Sequence, residues 1–82
     1  MLEETIITSN LCKAARNLLD WKQEDLAEKS EVAVATISFF ERGLKTPRPR
    51  TLKAIRDAFE VAGIEFEITI NSFGLRLVTK HS

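Results

Sequence analysis

The stretch WKQEDLAEKSEVAVATISFFERG, Trp21 to Gly43, decides how this chain is read, because two short helical runs stand on either side of a tight break. From Gln23 to Lys29 only Leu26 and Ala27 face inward, so the spacing predicts a helix of barely two turns that needs tertiary support. Ser30-Glu31-Val32-Ala33 is the turn, with Val32 plugging the angle between the helices. The next helix runs from about Val34 to Glu41. There Ile37 and Phe40, three apart, continue the inward face through Val32 and Ala33, whereas Val34, Ala35, Ser38 and Phe39 project elsewhere. Gly43 stops this helix, since glycine adopts the left-handed conformation cheaply.

Before this stretch, Thr8 precedes an apolar stripe of Cys12, Ala15, Leu18 and Leu19, the pattern of an N-cap and a first helix that Asp20-Trp21-Lys22 breaks. Trp21 is expected to act as a packing lid. After it, Leu44 to Pro49 is a loop with two prolines, and Leu52, Ile55, Ala58, Phe59 and Ala62 predict a fourth amphipathic helix over 50–62, closed by Gly63. The period then falls from 3.6 to 2. Ile64, Phe66, Ile68 and Ile70 alternate with Glu65, Glu67 and Thr69 as in a strand with one buried face, Asn71 to Gly74 is turn chemistry, and Leu75 to Lys80 can return as a second strand. Thr5, Ile6 and Ile7 would suit a further edge strand. The expected organisation is an N-terminal arm over 1–7, a helical domain over 8–63 and a hairpin over 64–82.

Composition narrows the function. A chain of 82 residues is one domain, which buries roughly 60% of its unfolded surface. No run approaches the ~18 apolar residues of a membrane span and MLEET lacks the positive start of a secretory signal, so a cytoplasmic protein with no membrane partner is expected. The lone Cys12 and lone His81 exclude disulfide and zinc scaffolds, and no metal or cofactor is expected. Neither a Gly-rich phosphate loop nor a nucleophile beside a base is present, so no catalytic residue is assigned. Twelve basic residues balance twelve acidic ones, which argues mildly against nucleic acid, but the charge is polarised. From Arg42 to Arg56 six basic residues occur with no acid, while Asp20 to Glu31 is mostly acidic, so one face can still meet phosphates.

Two helices set at an angle by a tight turn can lay the second in the major groove of DNA. With that geometry in view, the chain resembles the Cro/repressor-type, or Xre-like, helix-turn-helix family over roughly Ile7 to Gly63. Ala14-Ala15-Arg16, Gln23-Glu24-Asp25-Leu26-Ala27, Thr36-Ile37-Ser38, Phe40-Glu41-Arg42-Gly43 and Thr51-Leu52 carry the resemblance by their order and spacing. It implies a mostly α, lambda-repressor-like bundle of about four helices, here followed by a C-terminal β-hairpin, in a DNA-binding transcriptional regulator.

The resemblance also assigns roles. Arg16 and Glu41 would form a structural ion pair bridging the first and third helices. Gln23 at the start of the second helix, with Lys22, would hold a backbone phosphate, and Lys45, Thr46, Arg48 and Arg50 would form a second clamp beside Arg42. The base-reading positions fall on Val34, Ala35, Ser38 and Phe39, of which only Ser38 can make a hydrogen bond, leaving thymine methyls and DNA shape to supply selectivity. Departures from the family pattern are Lys22 at a position that usually carries a Ser or Thr cap, Glu31 where the turn usually has Gly, and Ala33 as an uncapped start.

Ile64, Phe66, Ile68 and Ile70 need cover, either from the helices of the same chain or from the hairpin of a second chain; the second, favoured because one helix-turn-helix contacts only a half-site, would give a homodimer that repressed by occluding its operator. The alternative is a protein-interaction module of the same fold, antitoxin-like for example, that binds a partner protein through the apolar third-helix face or the hairpin.

Overall fold

The computed structural model describes residues 7–69 and 74–79, with side chains up to Phe66. Four helices, α1 (Ser9–Leu19), α2 (Gln23–Ser30), α3 (Val34–Glu41) and α4 (Pro49–Val61), precede the strands β1 (Ile64–Thr69) and β2 (Gly74–Thr79). The expected bundle with a hairpin is therefore the fold.

Each helix end has a local cause. The Thr8 hydroxyl caps α1 by accepting from the Leu11 N–H at 3.1 Å. At α2 the Lys22 side chain makes no cap, but the Asp25 carboxylate accepts the Lys22 backbone N–H at 2.8 Å, which is half of a capping box. Pro49 opens α4 at a position where its missing N–H loses nothing. Three helices close the same way: Trp21 N–H to Arg16 O, Val32 N–H to Ala27 O and Leu44 N–H to Phe39 O, each around a left-handed residue. Only the third uses glycine, Gly43 at φ 74°; the others bend at Asp20 (φ 60°) and Glu31 (φ 61°).

The core joins Cys12 and Ala15 of α1, Leu26 of α2, Ile37 and Phe40 of α3, and Ile55, Ala58 and Phe59 of α4. Leu18, expected in the stripe of α1, is 57% exposed, because it sits at the margin of the arc that Cys12, Ala15 and Leu19 turn inward. Ala33 is likewise exposed, while Val32 packs on the core. Ile7 is buried in the core and is not in a strand, so it belongs to the folded body and not to an arm. Thr5 and Ile6 lie outside the described residues.

Among the described residues the sheet has two antiparallel strands, in register from Ile64↔Thr79 to Thr69↔Gly74. It packs on its own chain, β1 against α4 and β2 beside α1. Ile64 is 1% exposed within the core, and the Phe66 ring meets Phe59 edge-on at 6.1 Å. Phe59 in turn stacks on Trp21 at 5.7 Å, so an aromatic row ties the hairpin to the α1–α2 corner. Ile64 is thus a core residue of its own chain, and Phe66 is half-buried against that core. A two-stranded hairpin needs such a base, and α4 supplies it within the same molecule. The side chain of Ile68, and Ile70 entirely, lie outside the described residues.

Candidate nucleic-acid interface

Helix α3 is held by what lies beneath it. Ile37 and Phe40 anchor α3 in the core, and Glu41, only 4% exposed, fastens its last turn. The Arg16 guanidinium donates from Nε to Glu41 Oε2 and from Nη2 to Oε1, both at 2.8 Å, a bidentate pair. A third donor, Arg16 Nη1, reaches the Trp21 carbonyl at 3.0 Å. Gln23 Nε2 donates to Oε1 at 3.0 Å and the Cys12 thiol to Oε2 at 3.1 Å. One carboxylate therefore ties α1, the α1–α2 corner and the start of α2 to the end of α3.

The electrostatics follow from this arrangement. Burial by itself would push the Glu41 carboxyl up, but hydrogen bonds from Arg16, Gln23 and Cys12, with the Arg16 charge, outweigh it and hold the group below the ordinary carboxylate range. For Cys12, burial, the hydrogen bond to Glu41 and the Glu41 charge all push the thiol far up, with Arg16 opposing, so it stays protonated and inert.

On the outer side, Val34 is 40% and Phe39 44% exposed, Ala35 is exposed and Ser38 half-buried. These four residues occupy one arc of α3, about 140° wide at ~100° per residue. A groove runs along its edge. Ala35, Thr36 and Phe39 form one wall, and Lys45, Thr46, Pro47, Arg48 and Thr51 form the other. The fold therefore brings three of the expected phosphate-clamp residues, Lys45, Thr46 and Arg48, against two of the four base-face residues. Arg48 is the N-cap of α4, so the first-turn N–H groups of that helix, which have no partner one turn earlier, open at this end. Arg42 and Arg50 are exposed but do not line the groove.

Lys22 is exposed at the start of α2. Gln23 is half-buried, with one amide hydrogen engaged by Glu41, so the amide expected on a phosphate has a single N–H left for one. Thr36 and Thr51 also line the groove, although the side chain of neither stands out in the sequence as a binding group. The helical step from Ala35 to Thr36 is the available signal for the first, and for the second only its place at the opening of α4. Among the described residues no helix is long and apolar enough to cross a membrane, and no group of His, Cys, Asp and Glu could hold a metal ion.

The helix-turn-helix family HTH_3 matches over residues 13–66, from α1 to the start of β1. The chain belongs to this Xre-like helix-turn-helix family. Among solved structures, the family fold of the chain is similar to that of the wild-type restriction-modification controller protein C.Esp1396I, with 30% identity and a TM-score of 0.61. The likeness covers 71% of this chain and 79% of the controller protein. No curated protein matches the chain significantly. Family membership makes it a DNA-binding transcriptional regulator and not an enzyme.

Proposed function

We propose that the chain is a homodimeric repressor that acts in the cytoplasm by occupying its operator and so excluding other proteins from it. The observation that carries this reading is the groove beside α3, apolar on the side of Ala35 and Phe39 and cationic on the side of Lys45 and Arg48. Phosphates lie on the second wall, with Thr46, Arg50 and the N–H groups at the start of α4 in support and Arg42, Lys22 and Gln23 completing the clamp. Base edges meet Val34, Ala35, Ser38 and Phe39. The likeness to a restriction-modification controller protein supports a role in control. Simple occlusion asks for no group beyond those that hold the DNA.

A homodimer fits because one helix-turn-helix contacts only a half-site. Ile64 is taken into the core and Phe66 is half-buried, so besides the hairpin a surface for a second copy lies at Val61, 90% exposed on the rim of a hollow bordered by Trp21, Lys29 and Ala58. That hollow shares no residue with the groove beside α3. Selection from random duplex DNA tests the proposal. It should enrich a two-fold symmetric site whose halves lie about 10 base pairs apart, or a multiple of that spacing. Absence of any enriched sequence, with no binding at low salt, would instead favour a protein partner on the Val34 and Phe39 face.

A further inference from the structure

We propose that the reading face recognises the C5-methyl group of a pyrimidine as such, so that 5-methylcytosine serves where thymine does. The inference rests on the DNA-binding reading above and deepens it. In the major groove, thymine offers an O4 acceptor and a methyl group, cytosine an N4 donor and no methyl, and 5-methylcytosine an N4 donor with a methyl. A protein separates thymine from 5-methylcytosine only by a group committed to donating or to accepting.

The exposed face of α3 has none. Val34, Ala35 and Phe39 have no polar side-chain atom, and the Ser38 hydroxyl both donates and accepts, so it satisfies O4 and N4 equally. What these residues can sense is apolar volume at C5. The cationic wall fixes where that volume must be. Lys45 and Arg48 stand across the groove from Ala35 and Phe39, so a duplex held there by a phosphate is brought against an apolar wall. Charge complementarity commits the groove to a polyanion, and the wall facing it commits the contact to methyl-bearing bases.

The test begins with the duplex enriched by selection. At each thymine of a half-site, four matched duplexes carry thymine or uracil opposite adenine, and 5-methylcytosine or cytosine opposite guanine, with dissociation constants read by fluorescence anisotropy at fixed salt. Each pair differs by one methyl. At one or more positions, removing it should weaken binding by about fourfold in both pairs, the effect of one buried carbon. Phe39→Ala, at an exposed position, should abolish both differences and leave the salt dependence unchanged, and Val34→Ala serves as the second variant if Phe39→Ala loses its helical circular dichroism. Tight binding that ignores uracil at every thymine overturns the proposal while leaving DNA binding intact. So does a duplex that loses affinity with uracil but gains none from 5-methylcytosine over cytosine. Failure to enrich any duplex overturns the DNA-binding reading beneath it.

Discussion

Arg16 and Glu41 face each other across α1 and α3 as a bidentate pair, with both hydrogen bonds at 2.8 Å and the carboxylate buried. Both oxygens of Glu41 find donors, from Arg16, Gln23 and Cys12. The pair therefore fixes the pitch of α3 relative to the rest of the bundle.

Cutting Glu41 to alanine leaves the Arg16 guanidinium without its partner and Gln23 and Cys12 without an acceptor. Removing one member of a buried pair costs about 3 kcal/mol or more. Urea melts of Glu41→Ala should show that loss, and a midpoint equal to that of the parent would remove the pair from the stabilising interactions.

Stability should fall in acid for the same reason. Folding holds the Glu41 carboxyl below its ordinary value of 4.5, so on acidification the unfolded chain takes up the proton first. The contribution of Glu41 is complete above the ordinary value and disappears as pH falls through the lower, folded one. Urea melts across that acid range should give a weaker pH dependence for Glu41→Gln than for the parent. Equal slopes would mean that other carboxylates carry the effect.

Glu31 closes α2 at φ 61°, a conformation that strains any residue with a Cβ. Glu31→Gly should raise stability by about 1 kcal/mol, the relief of strain less the added freedom of the unfolded chain. A lowered melting temperature would show that the side chain contributes an interaction that outweighs the strain.

Ile64 lies in the core of one chain, so Ile64→Ala should cost about 3 kcal/mol through reduced burial and the cavity left behind. The cost should be the same at every protein concentration. Destabilisation that grows on dilution would place Ile64 between two chains instead.

Much of this fold is legible in the sequence. The Thr8 cap, the helix starting at Gln23, the helix from Val34 to Glu41 and the hairpin beginning at Ile64 follow from apolar spacing and from the switch of period after Gly63. The rest is decided by tertiary context. Asp20 belongs to a residue type that tolerates a left-handed bend, but nothing in the side chain of Glu31 announces one; each bend turns the chain within a connection of three residues. The alternating apolar residues reveal that one strand face is buried but not by what, and the Phe59 ring, itself stacked on Trp21, packs on Phe66 within the same chain. At the candidate interface, Arg16 and Glu41 stand out by resemblance, whereas the turn of Gln23 toward Glu41 depends on a residue 18 positions away in sequence.

The proposed division of labour puts affinity on Lys45 and Arg48 and selectivity on the apolar face of α3. Binding of the enriched duplex, measured from low to moderate salt, tests it most directly. Log affinity should fall linearly with log salt, and Lys45→Ala and Arg48→Ala should each make that slope shallower by about 0.9 for every phosphate the side chain neutralises. Nearly salt-independent binding, or a slope unchanged in both variants, would contradict it.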